Sequence, residues 1–420
     1  MASTGWYGMA VLLVNGMIAC LSGVCLAKCW LILEERYPQL RRPQRNPFAL
    51  IGLKANGKWM SYLCSAVMDL TFFGAPVVFL LICSDQIHEL SQPSRLLKHL
   101  TVCDWIVILG LLLLPFTLWG SPADCWPVAW LALATTVGGL VFLLFAIGMD
   151  ANLTVTNTTT NITTNGSIGV DGIPYTTTTT TTTHPGPQDW RSFFLGFGII
   201  TFGFGGAAAF PTIQTDMTDR LQFPKAICIA FCVVMFLFYL PVSIAGYYVY
   251  GQLVTDNILQ SLSKGWPKQT ASVLFTVHLL MAAVMLLNPV AQEFEHWLNI
   301  PQNFTYKRLI TRSVLMLSVV FTGLSVPKFG KIMDLLGGST IMLMAMILPT
   351  CFYLSLVSQQ HDWPDCPKRQ INIKLKLFML LTICMGLVAG CASTYFAIVE
   401  LVDPDSFIYP CYLQCNAWIL

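Results

Sequence analysis

Ten apolar stretches, most of them close to the roughly 20 residues that a helix needs to cross a bilayer, run through this 420-residue chain and decide what it can fold into. They cover residues 5–30, 61–84, 105–119, 128–149, 193–217, 226–250, 270–294, 309–326, 332–358 and 374–399. In lipid every backbone N–H and C=O must be paired within the protein, so segments of this length and apolarity read as helices. The composition agrees: 55% of residues are hydrophobic and 10% charged, where soluble domains carry about a quarter charged. The expected fold class is an all-α polytopic membrane protein, with about ten transmembrane helices in a single domain over residues 1–420.

The fifth stretch reads FFLGFGIITFGFGGAAAFPTIQTDM and is poorly suited to a continuous helix. Gly203, Gly205 and Gly206 sit near its middle and Pro211 follows. Each interior glycine costs roughly 1 kcal/mol of helix propensity against alanine, and proline, lacking an amide proton, is comfortable only in a first turn. Two half-helices broken between Gly203 and Gly206 are the simpler solution. Unpaired backbone at membrane depth is tolerated where it lines a cavity, which makes the break a candidate binding site. The carbonyls of Ile200, Thr201 and Phe202 would then face an ammonium group, and the amides of Gly205, Gly206 and Ala207 a carboxylate. That pattern suits an amino acid. The same glycines also suit close approach of neighbouring helices.

Charge orients the chain. A net charge of +2 leaves no basic surplus for nucleic acid. Arg36, Arg41, Arg42, Arg45, Lys54 and Lys58 follow the first stretch and mark a cytoplasmic connection. Threading onward places sixteen of the 23 Lys and Arg residues on the inner connections and seven on the outer ones. The outer connection 150–191 holds four N-x-[ST] sequons, at Asn152, Asn157, Asn161 and Asn165, and then a run of eight threonines from Thr176 to Thr183. It reads as a glycosylated, disordered loop on the extracellular or luminal face. Residues 400–420 form an outer tail without Lys or Arg. The fifteen cysteines lie mostly within apolar stretches as packing residues, and no Cys/His cluster of zinc spacing occurs; neither metal nor cofactor is expected. Cys83, Cys103, Cys411 and Cys415 fall near the outer face, where oxidation is permitted, but spacing does not say which of them pair.

The stretch GFGIITFGFGGAAAFPTIQTDM, followed by QFPKAICIAF and YLPVSIAGYYVYG, resembles the amino acid/auxin permease family, which includes vesicular GABA and lysosomal proton-coupled amino-acid transporters. LLMAAVMLLNPVAQEFE at 279–295 and SVPKFGKIMDLLGGSTIMLMAMILPTCFYL at 325–354 are similar to later helices of that family. The resemblance implies an inverted-repeat fold of the amino acid-polyamine-organocation type, with broken first and sixth helices. It also implies transport of small neutral amino acids in a plasma or endolysosomal membrane, coupled to protons. Sodium coupling would need a cage of oxygen ligands that linear sequence does not reveal. Family members open with a glycine-rich broken helix ending in a Gly-Trp pair, whereas Met1 here stands just before TGWYG. The expectation is that this chain lacks the family's first helix, and that its helices resemble the second to the eleventh. A member so built is either a transporter or a non-transporting partner or sensor.

Within that fold, Thr201, Phe202, Gly203, Phe204, Gly205, Gly206 and Ala207 are the expected substrate contacts. Asp69 and His278 are the candidates for carrying a proton, because a carboxylate inside an apolar helix is expensive while charged and histidine titrates near neutral pH. Each has a plainer reading, as a packing aspartate bonded to a neighbouring Ser or Asn and as a hydrogen-bonded core histidine. Asp216 and Asp219 fall at the inner end of the broken helix. Tyr37-Pro38-Gln39-Leu40 matches a Tyr-x-x-apolar sorting pattern on the first inner connection. An intramembrane aspartyl protease is disfavoured by the absence of a GxGD motif, and a channel by the absence of a repeated filter-like loop.

Overall fold

The structure, a computed structural model, describes residues 4–41, 44, 46–95, 97–118, 126–164, 189–255, 257–301, 305–326, 328–364, 366–403 and 410–414. Among them nine spans are long and apolar enough to cross a membrane: Tyr7–Arg36, Lys58–Ser91, Trp130–Asn152, Trp190–Asp216, Arg220–Tyr250, Trp266–Trp297, Tyr306–Ser325, Phe329–His361 and Ile373–Val402. The shorter apolar helix Val102–Thr117 lies between the second and third. In chain order the helices are α1 (Tyr7–Arg36), α2 (Pro47–Asn56), α3 (Lys58–Ser91), α4 (Val102–Thr117), α5 (Trp126–Thr164), α6 (Trp190–Phe202), α7 (Phe210–Asp216), α8 (Phe223–Val233), α9 (Leu240–Tyr250), α10 (Ile258–Ser261), α11 (Trp266–Trp297), α12 (Tyr306–Ser325), α13 (Phe329–Leu336), α14 (Leu348–Ser358), α15 (Ile373–Val402) and α16 (Cys411–Gln414). The described residues contain no strand, and the chain is an all-α, multi-pass membrane protein.

Two elements depart from the sequence expectation. The first inner connection contains α2, capped by the Asn46 side chain accepting from Ala49 N at 3.1 Å and started by Pro47. Phe48, Ile51 and Ala55 bury its inner face, and Gly57, at φ 90°, makes the turn into α3 that a residue with a side chain would resist. On the outer side α5 continues to Thr164, through the first part of the stretch expected to be a loop. Its β-branched threonines weaken a helix by only fractions of a kcal/mol each, and no glycine or proline follows Gly148 until Gly166. The threonine run lies outside the described residues.

Two spans are interrupted where proline removes a donor. The six-residue π-helix Val234–Tyr239 precedes Pro241, and π turns Gly337–Ile341 and Leu343–Ile347 precede Pro349. A missing amide leaves a carbonyl one turn back without its partner, and the local winding widens. The span Phe329–His361 and α3 are the most enclosed in the molecule, and Arg220–Tyr250 the least. Helices are clipped by single buried polar contacts: Ser22 Oγ donates to Met346 O at 2.8 Å, and Thr71 Oγ1 to Thr340 Oγ1 at 2.7 Å. At the tightest crossing a Cβ on Gly337 would sit 1.9 Å from the Gly198 carbonyl oxygen, so α6 and the π turn meet backbone to backbone.

Polar contacts at the helix ends sort by face. On the side holding the basic connections, Arg220 pairs with Glu34, Arg369 with Glu35 at 2.7 Å, and Arg312 with Glu295 at 2.6 Å and with the Thr117 carbonyl. On the other side Arg191 pairs with Glu400 and Asp403, Lys331 donates to Glu400 O at 2.9 Å, Lys268 pairs with Glu89, and Cys103 is bonded to Cys411. Asp189 caps α6 there by accepting from Ser192 N at 2.7 Å, and these hydrogen bonds hold its carboxyl below the usual range. Each contact joins groups that ten crossings put on the same face.

Candidate functional site

The fifth span breaks where its glycines fall. α6 ends at Phe202, Gly203 and Phe204 make a turn, Gly205–Ala209 is a 3-10 segment, and α7 resumes at Phe210 with Pro211 in its first turn. No side chain caps the 3-10 segment. The Thr201 carbonyl accepts from Phe204 N at 3.0 Å, closing the end of α6. The Gly203 carbonyl accepts from the Tyr239 hydroxyl at 2.7 Å, so the π-helix supplies one of the groups that the break removes. Thr201 is fully buried; its hydroxyl donates to Phe197 O at 2.8 Å and accepts from Asn15 Nδ2 at 3.1 Å.

A cavity of about 360 Å³ lies between the break and the segment from Phe223 to Tyr239. Of the expected substrate contacts, Gly203, Phe204, Gly206 and Ala207 line it, while Thr201, Phe202 and Gly205 do not. Thr201 turns to Asn15, and a Cβ on Gly205 would meet Ile341 at 3.0 Å. Gly206 is the open point of the wall, since a Cβ there would meet nothing within 4 Å. Phe204 stacks on Phe231 with ring centroids 6.2 Å apart and 8° between planes, and meets Tyr239 edge-on at 5.7 Å. On the far side Gly16 of α1 admits Met235, whose Cε would lie 2.0 Å from a Cβ.

The two proton-carrying candidates have unlike surroundings. Asp69 is half-buried, its Oδ1 fully buried and without a hydrogen-bond partner among the described residues. Glu293 of α11 is its charged neighbour. The Asn46 amide beside them donates to Glu293 Oε2 and to Ser65 Oγ, both at 3.1 Å. His278 lies across from α5, with Nδ1 2.8 Å from Thr136 Oγ1 and 3.1 Å from Ala132 O. Thr136 Oγ1 itself donates to Ala132 O at 2.7 Å, which leaves its lone pair for a His278 Nδ1–H.

The remaining sequence candidates resolve as follows. Asp219 accepts from Leu221 N at 3.1 Å and from Gln222 Nε2 at 2.8 Å, capping the turn after α7, and Asp216 is exposed. Leu40 is buried, Tyr37 packs edge-on against Trp363 at 5.0 Å, and Lys54 Nζ lies 4.1 Å from the Tyr37 ring centre, so the tetrapeptide is folded into the inner face. Asn152 is exposed, Asn157 and Asn161 fall within α5, and Asn165 lies outside the described residues. Of the outer cysteines, Cys103 pairs with Cys411, Cys83 is a buried free thiol, and Cys415 lies outside the described residues.

Asn15 and Tyr239 were not singled out by sequence. Asn15 is an amide alone inside an apolar helix, the kind of signal that singled out Asp69. Tyr239 stands two residues before Pro241, where a helix irregularity was foreseeable, but its partner was not.

Comparison with known proteins bears on the whole chain. A family model described as "Transmembrane amino acid transporter protein" matches residues 1–399. The chain is 25% identical over 413 residues to amino acid transporter AVT1D of Arabidopsis thaliana, covering 95% of this chain and 66% of that protein. It is 24% identical over 412 residues to AVT1E of the same plant, covering 95% and 68%. A shorter match, 31% identical over 173 residues, joins 39% of the chain to Arabidopsis lysine histidine transporter-like 1. The chain thus spans about two thirds of the length of these AVT1 relatives. With the interrupted fifth span and a family match running almost end to end, the chain belongs to the transmembrane amino acid transporter family.

Proposed function

We propose that this chain carries out secondary active transport of neutral amino acids, driven by protons rather than sodium, through alternating access around the break between Gly203 and Gly206. The observation that carries the reading is the interruption itself: two glycines of the break, Gly203 and Gly206, form part of the wall of a cavity of about 360 Å³. Membrane-embedded backbone is left unwound where it faces a ligand or is held by protein. The Gly203 carbonyl is held by Tyr239. No side chain caps the start of the 3-10 segment, where Gly206 and Ala207 line the cavity, and its amides are the proposed contacts for a carboxylate. The family match and the AVT relatives, which are amino acid transporters by name, support amino acids as the substrate.

For coupling, Asp69 is the better candidate. A carboxyl oxygen buried in a span without a hydrogen-bond partner is expensive to keep charged, whereas His278 is engaged with Thr136 and Ala132. Alternation would require the contacts of α7 and of the turn after it to open, namely Gln214 Nε2 to Ala27 O at 3.3 Å and Arg220 to Glu34. The outer loop carries the proposed glycans, in either a plasma or an endolysosomal membrane. Uptake of radiolabelled neutral amino acids by the purified chain in liposomes tests this. Accumulation above the outside concentration is expected with an inward proton gradient, and collapse on adding a protonophore. Uptake that follows a sodium gradient and ignores the protonophore would overturn the coupling, and no accumulation under either gradient would overturn the function.

A further inference from the structure

The cavity at the break is chemically one-sided. Phe204, Phe210, Phe223, Phe231 and Tyr239 contribute aromatic rings to its wall, and among the described residues no charged side chain lines it. The rings form a connected set: Phe210 meets Phe223 at 6.1 Å and Phe231 at 6.3 Å, both edge-on, and Phe231 stacks on Phe204. Its polar groups are the Tyr239 hydroxyl and the glycine backbone of the break. A volume of about 360 Å³ is far more than the side chain of glycine or alanine would fill, and it falls in the ~300–1,000 Å³ range of small-molecule sites.

We infer that this cavity is the subsite for the substrate's side chain and that it selects bulky apolar side chains, those of leucine, methionine and phenylalanine, over those of glycine and alanine, and rejects charged ones. The inference rests on the proposed transport function and narrows it. Small side chains would leave the aromatic wall against water or an unfilled void, losing hydrophobic stabilisation and dispersion contacts. A charged side chain would find no partner there. Each additional methylene that such a pocket accepts is worth about tenfold or more in discrimination. On α8 the wall runs through Phe223, Ala226, Ile227, Ala230 and Phe231, and of these the two alanines carry the smallest side chains. Ala230 is therefore assigned as a specificity-determining position.

The test uses the purified full chain in detergent, with thermal unfolding followed while leucine, phenylalanine, alanine, glycine, lysine or glutamate is titrated, since a ligand that binds the native state raises the transition temperature. Leucine and phenylalanine are expected to half-saturate at about tenfold or more lower concentration than alanine, with no stabilisation by lysine or glutamate. Ala230→Leu, which narrows the cavity, is expected to move the order toward alanine. Ile229→Ala, at an exposed position off the cavity wall, should leave it unchanged. Tighter binding of alanine than leucine, or an order that Ala230→Leu does not move, overturns the inference, as does stabilisation by lysine equal to that by leucine. Leucine stabilisation without accumulation in liposomes upholds the subsite and overturns transport. Accumulation that favours alanine does the reverse, and stabilisation by none of the six overturns both.

Discussion

Asp69 and His278 are both titratable groups inside apolar helices, yet their surroundings differ in kind. The imidazole has two partners on α5 that fix its Nδ1 proton. The carboxyl of Asp69 has one oxygen sealed away without a hydrogen bond and the carboxylate of Glu293 as its neighbour. The two carboxyl groups share one place in the bundle, where the buried Asp69 oxygen has no hydrogen-bond partner among the described residues, and entry of water or substrate would change those surroundings. Asp69→Asn, which mimics the protonated group, is expected to abolish the response of uptake to an imposed proton gradient while exchange of labelled for unlabelled substrate continues. His278→Asn keeps a hydrogen-bonding group at the position and should retain the gradient response. Parallel gradient-driven and exchange assays in liposomes check both variants, and loss of the response in His278→Asn alone would reverse the assignment.

Among the elements, the broken helix was the most legible, because glycine and proline act on the backbone they belong to. The break expected between Gly203 and Gly206 begins one residue after α6 ends, but a 3-10 segment carries it on to Ala209, so that α7 resumes only at Phe210 with Pro211 in its first turn. α2 was hidden: ten residues with a proline at the start and basic flanks carry too little periodicity to stand out from a basic connection. The cavity was half visible. Its wall at Gly203, Phe204 and Gly206 could be read from the break, whereas Phe223, Phe231 and Tyr239 come from α8 and the π-helix and depend on how two spans pack. The glycines also separate by role. Gly337 is pressed against the Gly198 carbonyl, and Gly206 faces open space. Gly337→Ala is accordingly expected to destabilise the protein by about 1–3 kcal/mol, the range for overpacking a fixed contact, seen as a lowered thermal transition in detergent. Gly206→Ala should leave the transition within about 0.5 kcal/mol of the parent, as substitutions away from tight contacts do.

At the scale of the whole molecule, the threading inferred from the distribution of sixteen and seven basic residues agrees with the ion pairs and the disulfide, each of which joins ends on one face. Which cysteines pair could not be read from spacing, because Cys103 and Cys411 are 308 residues apart and meet only through the fold. Peptide mapping without reductant is expected to recover Cys103 joined to Cys411. A membrane-impermeant maleimide should label neither of them before reduction and should leave the buried Cys83 unlabelled throughout. Recovery of both Cys103 and Cys411 as free thiols would remove the outer tie between α4 and the tail.

The claim on which the account turns is that the break between Gly203 and Gly206 is where substrate binds, and Gly206 offers the most direct handle on it because it lines the cavity and a Cβ there would meet nothing within 4 Å. The decisive measurement is proton-gradient-driven leucine uptake by Gly206→Leu beside the unaltered chain, at equal amounts of folded protein in the same liposomes. The account predicts accumulation by the parent and at least a tenfold loss in the variant, with the thermal transition preserved; equal uptake by the two would contradict it.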